Sequence, residues 1–430
     1  MPTVPRLPLV GDPLRRIDLP RDFESVTTIA GEEDPEPLGI NSETLERIWD
    51  AAQDLYRARV HPALQLCLRR HGRVVLDRAI GHAKGNGPFD PPEAEKVLVT
   101  PKVPFCLFSA SKAMTAMVVH LLSDRGALDI DDRVADYIPE YAVHGKQDTT
   151  IGHVLAHRAG VPSLPRALLD IDRAGDREFI IGEIAKAKPF VRPGALLAYH
   201  AVSGGFILGE IVHRVTGKPI REVLAGEMLE PLGFRWGNYG VREEDVAKVG
   251  LNYLTGPPVL PPFSNLVARV LGMPIQEAVE LSNDPRFLMA VLPSANVITT
   301  ANELSRFFEI FRAGGELDGK RVMSPATIRR ALTEQSRLEI DLSLGFPTRF
   351  SYGLMLGAKV ISLFGLDTDR AFGHLGLINI MGWADPERGI SGGLITSGKA
   401  LVYPEVTRFY GLMQRIASQV PKVPETQRQI

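Results

Sequence analysis

The chain has 430 residues, 44% apolar and 23% charged, with a formal net charge of -2. These are the proportions of an ordinary soluble globular protein, long enough for two or three domains or one domain with an insertion, and the charge balance gives no electrostatic basis for binding nucleic acid or an anionic membrane. Cys67 and Cys106, the only cysteines, form neither a CxxC pair nor a disulfide framework.

The N-terminus, MPTVPRLPLVGDPLRRIDLP, has no long apolar run behind its charges, and no stretch approaches the length of a membrane span. Neither a signal peptide nor an integral membrane segment is expected, and the default address is the cytoplasm; peripheral membrane or cell-wall association stays open. Residues 1–40 carry prolines at positions 2, 5, 8, 13 and 20 and then the acidic patch GEEDPEP, which predicts an arm without regular structure, lying on the surface or mobile. A helix follows, capped by Asn41 or Ser42, with Leu45, Ile48, Trp49, Ala52 and Leu55 on one face. PALQLCLRR and GRVVLDRAIG, separated by His71 and Gly72, predict a hairpin.

The stretch FSASKAMTAMVVHLLSDRG, Phe108 to Gly126, predicts a helix with Ser109 at its N-cap, apolar residues at helical spacing and Gly126 as a stop. Three residues along a helix return to the same face, so Lys112 lies beside Ser109. A hydroxyl becomes a nucleophile when a base takes its proton, and a lysine is such a base when burial disfavours its charged form.

From about 130 to 290 the sequence reads as short helices and proline-rich loops without strand alternation, which predicts a helical insertion. Within it, residues 254–275 are apolar and proline-broken, and read as a flap over a pocket or an irregular core segment. Beyond 290, Thr300 to Glu303 has capping-box spacing before ELSRFFEIFRAGG, and SPATIRRAL opens another helix. SYGLMLG, FGHLGLINIMGWAD and GISGGLITSGK read as strands, and residues 404–419 as a closing helix. Strands on both sides of the insertion belong most simply to one antiparallel sheet. The expected fold is α/β (α+β): a sheet domain of residues 41–134 and 292–430, flanked by helices, with an all-helical domain of residues 135–291 inserted.

Two further stretches meet the needs of an activated serine. Tyr199, in PGALLAYHAVSGG, follows a Pro-Gly turn and precedes a helix; its phenolate, stabilised by a lysine, can accept the serine proton and return it to a leaving group. His374, in FGHLG, lies between glycines where backbone can approach substrate, and the N–H of Leu377, just past Gly376, can pair with the N–H of Ser109 as an oxyanion hole. Each residue alone also fits a packing role.

The ordered set resembles a family. Ser109-Ala-Ser-Lys112, Tyr199-His-Ala201 and His374-Leu-Gly376 are similar to the SxxK, YxN and KTG or HxG motifs of the serine β-lactamase and penicillin-binding-protein superfamily, and framework segments such as TIGHVLAHRAGVPS and LPSANVITTANELSRFF extend the resemblance over residues 60–400. It is strongest to the class C β-lactamase-like group that includes the family VIII carboxylesterases. The resemblance implies a cleft between an α/β domain and a helical domain, with the serine in it. Ala201 replaces the family's Asn, and Leu375 replaces the residue that helps grip a substrate carboxylate. What remains suits a neutral ester, attacked by Ser109 with Lys112 and Tyr199 managing the proton.

The expected activity is therefore a carboxylesterase-type serine hydrolase for short to medium acyl groups, with a small-molecule ester as partner and no cofactor or metal. β-Lactam hydrolysis, D-amino-acid peptidase activity, acyl transfer and a non-catalytic binding role are the alternatives, and oligomeric state is not written in the sequence. The apolar segments 254–275 and 355–366 are expected to supply an acyl pocket. Three rival motifs are weaker. Ala201-Val-Ser203-Gly-Gly205 resembles a nucleophile elbow lacking its first glycine, His153 and His157 are spaced as metal ligands without a third, and LDIDDRVAD has calcium-loop acidity without its spacing.

Overall fold

The computed structural model describes residues 12–163, 166–337, 339–402 and 407–428. The first eleven residues of the expected arm, and residues 404–406 of the expected closing helix, lie outside them.

The framework is an eight-stranded antiparallel sheet. Its hairpin consists of β2 (Ala63–Arg70) and β3 (Arg73–Lys84), joined by His71 and Gly72 at φ 51° and 84°, the left-handed pair that suits the twist of a two-residue hairpin loop. With β1 (Thr27–Ile29), β4 (Val97–Leu98), β12 (Met355–Leu356), β13 (Phe372–Leu375), β14 (Met381–Asp385) and β15 (Ile390–Thr396), the order is β1-β3-β2-β15-β14-β13-β12, β4 pairing with β3. Pairing of β15 with β2 joins the strands before and after the helical stretch in one sheet, as the sequence predicts.

Helices cover both faces because the strands are apolar on both sides. Leu64, Leu66 and Leu68 of β2 pack in one core with α1 (Ser42–Tyr56) and α14 (Thr407–Gln419), while Ala63 and Cys67 belong to the other, with α2 (Ser111–Asp124) and α12 (Ala301–Arg312). This is the period-2 alternation of a strand. Each fully buried leucine contributes roughly 1.5–3 kcal/mol. At Gly382 a Cβ would meet the Phe308 ring at 2.3 Å, so glycine lets α12 close onto β14.

The arm differs from expectation from residue 12 onward. It contributes β1 to the sheet edge, and Ile17, Val26 and Ile40 are buried. A three-residue strand has no periodicity to read; the edge of β3, far away in sequence, decides it. The helical stretch contains α3 (Val134–Tyr137), α4 (Ile151–Leu155), α5 (Arg177–Lys186), α6 (Ser203–Thr216), α7 (Ile220–Leu224), α8 (Glu243–Val246), α9 (Phe263–Leu271), α10 (Ile275–Leu281) and α11 (Pro285–Met289). It also holds one unexpected strand, β6 (Asn238–Tyr239), which pairs with β7 (Val297–Thr299), itself paired with β5 (Phe105–Cys106). This small ribbon carries the chain into the serine turn. No described helix is long and apolar enough to cross a membrane.

Residues 254–275 include a true helix, α9, with Phe263, Leu266, Val267, Val270 and Leu271 on one stripe, yet none of its residues is buried. In the 355–366 segment, Val360 and Ile361 are exposed and Phe364 joins the α1/α14 core.

Candidate active site

From β5 the chain enters a single 3-10 turn, Phe108–Ala110, before α2 begins at Ser111. Ser109 is thus inside the turn, two residues ahead of the helix, rather than its N-cap; no side chain caps α2, which leaves the serine hydroxyl available. The turn is held from β7: the Leu107 N–H donates to Val297 O (2.9 Å) and the Val297 N–H to Ser111 Oγ (2.9 Å). Phe108 takes a left-handed φ of 48°, an uncommon and strained state for a bulky residue, here immediately before the nucleophile candidate.

Every residue of α2 from Ser111 to Leu122 is buried, so Lys112 projects from a helix that offers its charge no water. Its Nζ lies 3.3 Å from Ser109 Oγ and donates to Ser294 O at 3.0 Å. Burial alone, with no carboxylate to offset it, holds the amine down to about 7. A neutral amine at that distance can accept the hydroxyl proton.

Tyr199 lies four residues before α6, its N–H donating to Asp341 Oδ1 (3.0 Å). The Lys112 ammonium position is 5.0 Å from the centre of its ring. Burial pushes the phenol well above its usual range; hydrogen bonding from Ser109 opposes this and the Asp341 charge adds to it. The structure brings Ser109, Lys112 and Tyr199 together, but its electrostatics favour a neutral phenol. The expected role of Tyr199 as a phenolate base would have to overcome this burial; as the site stands the phenol holds its proton and can donate it.

His374 is buried on β13, 6.4 Å ring to ring from Tyr199. Because Leu375 O can only accept, Nδ1 must donate to it (2.8 Å), which leaves Nε2 as an acceptor, buried without a partner among the described residues. Burial, with Lys112 second, pulls the imidazole down to about 3, so it is neutral. Gly376 passes the serine turn so closely that a Cβ would sit 2.4 Å from Leu107 O, and its N–H donates to Ile380 O (2.7 Å). Leu377 and Ser109 line the same cavity.

That cavity, about 120 Å³, is walled by Phe108, Leu169, Phe206, Leu271, Met273 and Leu377, and Asp170 is its sole charged lining residue. Ala201 lines it with a methyl group where a polar side chain would grip an amide. Leu271 and Met273 come from the 254–275 segment, as expected; no residue of 355–366 reaches it, which corrects that part of the acyl-pocket expectation. The physical reason is that 355–366 runs along the opposite core, toward α14.

Sequence reasoning assigned no role to Ser294, although its carbonyl receives the Lys112 amine while its hydroxyl ties Gly205 N–H (3.1 Å) to Val202 O (3.1 Å). Asn296, fully buried, shapes that loop by donating to Phe287 O and Ala290 O and accepting from Leu292 N–H. The available signal was the pair of polar residues Ser294 and Asn296 just ahead of the β-rich VIT.

The rival motifs are occupied elsewhere. Ser203 Oγ donates to Val161 O (2.7 Å) at the start of α6. His153 Nδ1 accepts from Thr150 N–H to cap α4, whereas His157, at φ 58°, accepts from His200 N–H, so the two rings serve different turns. Asp129 and Asp131 pair with Arg330.

The chain is similar to several known proteins. The sequence model described as Beta-lactamase matches residues 50–410. Esterase/beta-lactamase LipL of Mycobacterium tuberculosis is 28% identical over 337 residues, 74% of this chain and 75% of that protein. Among solved structures, a penicillin-binding protein homologue from Caulobacter crescentus has a TM-score of 0.75 at 24% identity, covering 91% of this chain and 100% of that one. A family VIII carboxylesterase also has a TM-score of 0.75 at 24% identity, covering 90% and 99%. The family match spans both sides of the sheet and the helical stretch between them, and the chain belongs to the beta-lactamase family.

Proposed function

We propose that the chain is a serine hydrolase cleaving neutral carboxylic esters of short to medium acyl length through an acyl-enzyme on Ser109. One contact carries the reading: Ser109 Oγ lies 3.3 Å from the Nζ of a buried lysine held down to about 7, and the pair opens onto an apolar cavity. Lys112 takes the hydroxyl proton as Oγ bonds to the ester carbonyl carbon. The resulting oxyanion is met by the N–H groups of Ser109 and Leu377. Tyr199 gives its proton to the departing alkoxide and is reprotonated from Lys112; the C–O bond to the alcohol breaks. Water then attacks the acyl carbon and gives its proton to Lys112, which passes it to Ser109 Oγ as the acyl C–Oγ bond breaks and the acid leaves.

An ester fits better than a β-lactam carboxylate because the cavity presents Ala201 and Leu377, its one charge is the Asp170 carboxylate, and Leu375 cannot grip an anion. The name of the Mycobacterium tuberculosis relative joins esterase and β-lactamase, so both substrates belong in the test. p-Nitrophenyl esters of graded chain length should be turned over by the native chain and not by Ser109→Ala. Strong nitrocefin turnover without esterase activity would reject the assignment.

A further inference from the structure

The stretch that carries Tyr199 is bonded to two distant segments. The N–H groups of Ala198 and His200 both donate to His157, the first to its carbonyl (3.0 Å) and the second to Nδ1 (3.2 Å). The Tyr199 N–H between them goes instead to Asp341 Oδ1 (3.0 Å), and beside it Leu197 O accepts from the Leu342 N–H (3.0 Å). Asp341 and Leu342 belong to the turn between two short paired strands, β10 (Glu339–Ile340) and β11 (Pro347–Thr348). The phenol ring itself leans on His157 (4.7 Å between ring centres) and Phe350 (6.3 Å), contacts that fill space but do not fix a direction as a hydrogen bond does.

Asp341 is fully buried. Its Oδ1 also accepts from the N–H groups of Ser343 (2.8 Å) and Leu344 (3.0 Å), and its Oδ2 is buried without a partner among the described residues. The two bonds within the turn are those an Asx turn makes, and a neutral asparagine would serve them without the cost of burying a charge. The third, to a residue 142 positions earlier, has no part in the turn. A carboxylate accepts such bonds roughly twice as strongly as a neutral acceptor. That strength is spent at the N–H of the one residue whose phenol must meet Ser109.

We propose that Asp341 is a positioning residue of the ester site, fixing the main chain at Tyr199 so that the phenol keeps its reach to Ser109 and to the departing alcohol. This rests on the hydrolase reading above. Asp341 acts only through Tyr199: it reaches the main chain of that residue and does not line the ester cavity. Its charge works in the same sense, adding to the burial that keeps the phenol protonated against the opposing bond from Ser109. A misplacement of about 1 Å in a group that moves a proton costs on the order of 10²-fold in rate, and release of the Asp341 bond is a change of that kind.

Steady-state kinetics of the full chain on p-nitrophenyl butyrate test it. Asp341→Ala should lower kcat by about 30-fold with KM within about twofold, while Asp341→Asn, whose amide oxygen accepts the same three N–H groups, should lose no more than about fivefold. The decisive measurement is a double-mutant cycle with Tyr199→Phe. Once the hydroxyl is gone its placement no longer matters, so adding Asp341→Ala to Tyr199→Phe should cost less than about threefold more. A merely structural aspartate gives losses that multiply; that result, or equal losses in Asp341→Asn and Asp341→Ala, overturns the inference. Where the thermal midpoint shows Asp341→Ala to be poorly folded, Asp341→Glu, which keeps the carboxylate but displaces it by a methylene, enters the cycle in its place with the same expectation. A native chain that turned over no ester would reject the hydrolase reading and the inference with it, whereas an active native chain with multiplying losses would remove the inference alone.

Discussion

Two lysines flank the serine turn, and both are buried with no carboxylate paired to them among the described residues. Lys112 reaches Ser109 Oγ; Lys399 reaches the ring of the preceding residue, Phe108, at 5.1 Å, and donates to Thr396 O at 2.6 Å. Burial holds each amine down to about 7. The environments are nearly alike, so a depressed basicity does not by itself mark a catalytic residue. The partner decides: one amine faces a hydroxyl that can give up a proton, the other a carbonyl and a ring that cannot.

Ser109→Ala should remove turnover by about 10⁴-fold or more, since the other hydroxyl lining the cavity, that of Ser294, donates to Val202 O and has no lysine as its base; kcat/KM on p-nitrophenyl butyrate measures it. Lys112→Met should cost about 10³-fold while Lys399→Met stays within about threefold. Equal losses in the two lysine variants would break the comparison at its centre. Tyr199→Phe should lower kcat by about 10²-fold with little change in KM, as expected of a group that acts on the departing alcohol.

The pH profile sharpens the same contrast. In the proposed mechanism Lys112 acts when neutral, so kcat/KM should rise with pH through about 7 as its proton leaves, and the limb should persist in Lys399→Met. In stability the two lysines act alike. Each has a folded value of about 7 against an ordinary 10.5, so between these limits the unfolded chain binds the extra proton, and stability rises with pH across that window. Lys399→Met should reduce that slope by one lysine's share, read by urea denaturation at pH 7 and pH 9. The smallest effect expected is on specificity. A Cβ at Gly272 would meet Leu169 at 2.5 Å, so these two segments touch at the cavity wall, and Leu169→Ala should move the chain-length optimum up by about two carbons with a few-fold change in kcat/KM.

The parts of the fold set by local chemistry were legible in the sequence. The His71-Gly72 hairpin, the Asn41 and Thr300 caps and the pairing of Ser109 with Lys112 all depend on residues within a few positions of one another. Features decided at a distance were not. β1 and β6 are too short to carry a period and exist because a sheet edge awaits them. Glu303 has capping-box spacing, and Thr300 does accept its N–H, but its carboxylate turns instead to the N–H groups of Arg235 (2.6 Å) and Trp236 (2.8 Å). Lys399 sits in a strand-like GISGGLITSGK with nothing to mark it as buried; only the assembled sheet removes it from water.

The left-handed Phe108 places folding and chemistry in competition at a single position. Glycine adopts φ 48° without the roughly 1 kcal/mol that a side chain costs there, so Phe108→Gly would relieve the backbone while removing the ring that Lys399 packs against and a wall of the ester cavity. A library at this position screened for heat resistance and one screened for turnover should therefore return different residues. The gap between the two winners would measure how much stability the chain forgoes to keep its serine in place.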